Sequence, residues 1–136
     1  MEFIRKTIGQ MIDTIAQKHS DDDAIIHTEM GLRYDYGSLL REVDKVAMGF
    51  IKAGIQRGDK VALWAPNIPE WIISMLALTQ MGAVTVPTDP GAGRDDINFI
   101  LEQSESRGII MAKGLKDEEY VNMVSDLKAE IPNLEH

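Results

Sequence analysis

Apolar residues recur along this chain in two rhythms, and the change between them divides it. Ile8, Met11, Ile12 and Ile15 lie three and four apart, the stripe of an amphipathic helix. Thr7 precedes it, and Gln10 stands three residues on, a capping box. Ala24-Ile25-Ile26-His27 and Leu32-Arg33-Tyr34 flank a turn near Met30-Gly31 and predict a hairpin. Asp35 is placed to cap a second helix with the stripe Leu39, Val43, Val46 and Phe50, widened by Leu40, Ala47 and Ile51 and stopped at Gly54. From there short apolar runs alternate with helical ones. Val61-Ala62-Leu63-Trp64, Ala83-Val84-Thr85-Val86-Pro87 and Gly108-Ile109-Ile110-Met111 read as strands. Helices fall between and after them: Pro69 to about Met81, one marked by Ile97, Ile100 and Leu101, and one that Asp117 caps with Glu118 and Glu119 in its first turn. Almost wholly apolar strands alternating with helices predict an α/β fold, a mostly parallel sheet with helices on both faces.

Length and composition narrow the class. The 136 residues are 44% hydrophobic and 26% charged, a globular composition with one core. Lys plus Arg number 14 against 22 Asp plus Glu, a net charge of −8, and most of the excess lies after residue 68. The acidic balance argues against a duplex-binding module, and no basic patch remains in the second half to grip an anionic membrane. Trp71 to Thr88 carries no charge, but Gly82, Pro87, Thr79 and Gln80 interrupt it, so a buried helix followed by a strand is the expectation rather than a membrane span. There is no cysteine, which removes disulfides, thiolate catalysis and cysteine metal sites and fits a cytoplasmic protein. The methionines at 11, 48, 75 and 81 are expected in the core.

Chemistry in such a sheet collects at the loops after the strands' carboxyl ends. Ala65-Pro66-Asn67-Ile68-Pro69-Glu70-Trp71 reads as a structural turn, with Asn67 capping the helix and Trp71 packing. Thr88-Asp89-Pro90-Gly91-Ala92-Gly93-Arg94-Asp95-Asp96 offers a partial dinucleotide signature, but Asp96 stands where a third glycine belongs, and the prolines remove amide donors. Lys113 after the third strand reads as solvated, because Asp21, Asp22 and Asp23 precede a strand rather than follow one. His19 and His27 are single, the first ending the opening helix and the second in the hairpin, so no metal site and no catalytic residue is expected.

Two segments carry a family resemblance. Leu32-Arg33-Tyr34-Asp35-Tyr36-Gly37-Ser38-Leu39 resembles the aromatic-rich opening motif of AMP-forming acyl-CoA synthetases and adenylation domains. Leu78-Thr79-Gln80-Met81-Gly82-Ala83-Val84-Thr85-Val86-Pro87-Thr88-Asp89-Pro90 resembles their second motif. Gly54 to Ala62 and Ala65 to Trp71 are similar to the segments between, and Thr7-Ile8-Gly9-Gln10 and Lys116 to Val124 look most like the fatty acyl-CoA ligase branch. Asp35 and Ser38, where the family more often has Thr and Glu, depart from the pattern as helix-cap exchanges.

The resemblance implies that residues 1–133 form the N-terminal portion of an adenylation domain. Residues 134–136 (Leu-Glu-His) are expected to be either native or the remnant of a tag. The parent reaction implied joins a carboxylic, expectedly fatty, acid to ATP with Mg, then to coenzyme A. The phosphate loop, the ribose-binding Asp and the C-terminal catalytic Lys of that family have no counterpart here, so the chain alone is expected to be inactive and to bind no cofactor. The resemblance places Thr88, Asp89, Pro90 and Gly91 beside the coenzyme A channel, against the plain alternative of a rigid turn. Trp71, Ile73 and the edge strands are expected to leave apolar surface that drives self-association. A free-standing α/β binding or scaffolding module is the alternative.

Overall fold

The computed structural model describes residues 5–112 and 117–136, with no side-chain detail for 117–119. The chain opens with α1 (Ile8–Lys18), whose N-cap Thr7 accepts from the Gln10 N–H while the Gln10 side chain accepts from the Thr7 N–H. The antiparallel hairpin β1 (Asp23–His27) and β2 (Leu32–Asp35) follows, turning at Gly31, whose φ of 63° is left-handed. Asp35 then caps α2 (Tyr36–Lys52) through the Ser38 N–H at 2.6 Å, and hydrogen bonding from Ser38, its side chain first and its N–H second, holds the Asp35 carboxyl below the ordinary range.

The second half winds a parallel sheet. Its elements are β3 (Lys60–Trp64), α3 (Pro69–Met81), β4 (Val84–Thr88), α4 (Arg94–Ser104), β5 (Gly108–Met111) and α5 (Asp117–Glu130). The order β4-β3-β5 puts β3 in the centre, with Lys60 beside Val84 and Val61 beside Gly108. Pro87 is tolerated because β4 is an edge strand among the described residues.

Alternation along β3 divides the core. Val61 packs with Leu78, Ala83 and Ile55 on the α3 side. Ala62 and Trp64 pack with Ile97, Leu101 and Leu127 on the α4 and α5 side. A further cluster joins Ile12, Leu39, Val43, Ile73 and Ala77, so α1 and α2 form a second layer over α3. No described helix is long and apolar enough to cross a membrane.

Several sequence expectations change here. Met48 is 59% exposed rather than core, because it stands opposite the buried stripe Leu39, Val43 and Ala47. Ile8 is exposed too, since Gly9, Ile12 and Ala16 make the buried face of α1, and Ile51 is exposed in the last turn of α2. Ile73 is buried under α2, and Ile72 is the exposed residue beside it. Asn67 does not cap α3. Ile68 is the N-cap without a side-chain bond, and Pro69 at the first position needs no donor partner. The second parallel strand runs one residue further, to Thr88, because Thr88 pairs with Trp64. Lys113 and Gly114, and the side chain of Asp117 as a cap, lie outside the described residues.

Residues 134–136 pack as the rest does. Leu134 is buried against the α4 and α5 cluster. The N–H groups of Glu135 and His136 donate to the Arg107 carbonyl at 2.8 and 3.0 Å, and the Ile109 N–H donates to the His136 carbonyl at 3.1 Å.

Candidate functional site

The loop after β4 is built by its own side chains. Thr88 is buried as the last strand residue, and its hydroxyl donates to the Val86 carbonyl at 3.3 Å. Asp89 organises the turn. Its Oδ1 accepts from the Gly91 N–H at 2.7 Å, and its carbonyl accepts from the Ala92 N–H at 3.0 Å. Gly93 donates to the Asp96 carboxylate at 3.4 Å, and α4 starts there. An open cavity of 390 Å³ lies beside this turn, lined by Asp89, Gly91, Ala92, Asp96, Phe99 and Ile100. Of the four candidate residues, Asp89 and Gly91 thus reach one cavity, while Thr88 turns into its own strand.

The electrostatics of the loop limit what fits. Arg94, its only cation, is directed to α5, 2.8 Å from Glu130 and 3.6 Å from Asp126. Two carboxylates line the cavity, and the Gly91 and Gly93 amides are already used. A triphosphate needs free amides or cations, so the loop does not fit one. Among the described residues no group of three or more His, Asp or Glu is placed to hold a metal ion. Among the described residues, this loop therefore offers no fitted site for ATP or Mg.

The charged cluster at the other end of the sheet is structural. Asp59, just before β3, accepts from the Gln56 N–H at 2.8 Å and from Arg107 at 2.9 Å. Burial pushes its carboxyl up, but the Gln56 amide and the Arg107 guanidinium together hold it below the usual range. Arg107 also holds Glu135, and Lys60 meets Glu105 at 2.8 Å. Asp23, from the acidic run, forms an ion pair with Arg33 across the hairpin. His19 caps α1 and sits 2.9 Å from Asp22, while His27 accepts from the Met30 N–H at 3.2 Å. A second cavity, of 370 Å³, separates β1 from the start of α3 and is walled mainly by Ile26, Ile68, Trp71 and Ile72.

Phe99 and Ile100 line the cavity although they lie outside the loop to which the sequence points. Phe99 is 62% exposed on α4, away from its buried residues Ile97 and Leu101. An aromatic off the buried stripe was the signal available.

Residues 12–135 match the family described as AMP-binding enzyme. The chain belongs to this family. Among similar AMP-binding enzymes, the medium-chain acyl-CoA ligase ACSF2, mitochondrial, of Pongo abelii is 30% identical over 128 residues, which are 94% of this chain and 21% of that protein. The putative acyl-CoA synthetase YngI of Bacillus subtilis is 30% identical over 130 residues, 96% of this chain and 24% of that protein. The chain therefore spans about a fifth to a quarter of these curated relatives. The N-terminal domain of FACL13 from Mycobacterium tuberculosis superposes with a TM-score of 0.83 at 23% identity, over 95% of this chain and 32% of that one, and shows the fold alone. The α/β architecture expected from the sequence is that of the N-terminal part of an AMP-forming synthetase.

Proposed function

We propose that this chain is the N-terminal portion of an AMP-forming acyl-CoA ligase that activates a carboxylic acid with ATP and passes it to coenzyme A. The family match over residues 12–135, with the ligase names of two relatives, carries the reading. A fatty acid is the proposed substrate class, on the resemblance of Thr7-Ile8-Gly9-Gln10 to that branch. The chain by itself is proposed to be catalytically silent, and the absence of cysteine supports a reducing, cytoplasmic setting.

The loop has a proposed role in the second half-reaction, at the border of the thiol channel. The cavity beside Asp89 and Gly91 supports this, with Phe99 and Ile100 offering apolar wall to an uncharged arm. A Cβ at Gly91 would meet Asp89 Oδ1 at 3.2 Å, so a larger side chain pushes into the turn and the cavity. The test is Gly91→Val in the intact parent ligase. Thioester formation is expected to slow while pyrophosphate release during adenylation is kept. Equal loss of both would assign the loop to folding, and no loss in either would remove it from the site.

A further inference from the structure

Two exposed helix stripes have complementary chemistry and cannot meet within one chain. On α2, Arg41, Lys45, Met48 and Lys52 follow one another at i, i+4, i+7 and i+11, opposite the buried stripe, and all are exposed. Met48, at 59% exposure, is the apolar knob in this basic row. On α4, Asp95, Phe99 and Glu102 follow at i, i+4 and i+7, again opposite the buried residues and exposed. Phe99, at 62% exposure, is the knob in this acidic row. The α2 stripe lies over α3 on one side of the sheet, and the α4 stripe lies on the other. One molecule cannot close them on each other.

We propose that a second copy of this chain docks its α2 stripe onto the α4 stripe, head to tail. Charge complementarity selects the occupant: Arg41 and Lys52 face Asp95 and Glu102, joined by Lys45, whose exposed pairing with Glu42 at 3.5 Å is weak, and the Met48 thioether lies against the Phe99 ring. The two faces differ, so the contact is heterologous and each added molecule leaves one free face of each kind. A single helix-on-helix contact buries less than the roughly 1,600 Å² of a standard complex, so association is weak and rises with concentration. The net charge of −8 opposes it at very low salt. About 0.1 M salt, with a screening length of about 10 Å, damps that long-range repulsion while leaving contact pairs in place.

Sedimentation equilibrium on the chain tests this. At about 0.1 M salt the average mass is expected to climb past the dimer without a plateau as concentration rises, and to return to the monomer near 1 M salt. Asp95→Lys with Phe99→Lys blocks only the α4 face, and Met48→Glu blocks only the α2 face. Each variant alone is expected to be monomeric, and their equimolar mixture to give a one-to-one pair that grows no further. Glu102→Lys and Lys45→Glu form a second pair should either of the first variants lose its circular dichroism. A monomeric wild type, a wild-type plateau at the dimer, a folded variant that associates alone, or folded variants that stay apart when mixed would each overturn the proposal.

Discussion

One face of the parallel sheet carries helices in two layers and the other in a single layer. On the first, α3 lies between the sheet and α1 with α2, and it buries Ile73, Ser74, Leu76, Ala77 and Leu78 in sequence. On the second, α4 buries only Ile97 and Leu101, half-buries Asn98, Ile100 and Ser104, and shows the rest to solvent. The two helices are of similar length, yet α3 is apolar almost all round and α4 is striped. The layer above a helix, not the sheet below it, decides how much of it must be apolar.

The contrast can be broken by cavities of matched size. Leu78 and Leu101 are both fully buried. Leu→Ala at such sites costs about 2–5 kcal/mol, depending on how far the surroundings settle. Leu78→Ala, held by two layers, is expected at the upper part of that range, and Leu101→Ala below it, both read from urea unfolding. Equal costs, or the reverse order, would remove the distinction between the faces.

A smaller effect belongs to the charged tie at the sheet's amino end. Asp59→Ala leaves the Gln56 amide and Arg107 without their acceptor and is expected to cost about 1.5–3 kcal/mol. Because the folded carboxyl titrates below its unfolded value, its contribution is present above about pH 4 and fades as the pH falls through the folded value. Urea midpoints followed into acid should therefore drop in the wild type and flatten in Asp59→Asn. The smallest change is at the rim of the two-layer side. Thr7→Ala removes the acceptor of the α1 capping box and is expected to cost about 1 kcal/mol, seen as a lower thermal midpoint.

Local signals read well from the sequence because they act over three or four residues. The Thr7 and Gln10 box, the Asp35 cap and the left-handed Gly82 that ends α3 all stand where the residue types placed them. Signals that depend on a partner strand or layer did not. Thr88 joined β4 because Trp64 lies beside it, and Met48 turned outward because its neighbours on the helix already filled the core face. The Asp59 and Arg107 pair is far apart in sequence, and no spacing rule reports it. At the candidate loop, motif order points to Asp89 and Gly91, which line a cavity, while Phe99 joins that lining only because α4 stands beside the turn.

The central place of β3 has a meaning in chain entropy. Its bond to β4 closes a loop from Lys60 to Val84, and its bond to β5 closes one about twice as long, from Val61 to Gly108. Doubling a loop costs only about 0.6 kcal/mol. The backbone is therefore almost indifferent to which neighbour β3 finds first, and the choice passes to the side chains on its two faces. Val61 draws in Leu78 and Ala83 from one side, and Trp64 draws in Ile97 and Leu101 from the other. A strand that opens two loops of nearly equal entropic weight lets sequence changes on either face alter the order of assembly without altering the fold that results.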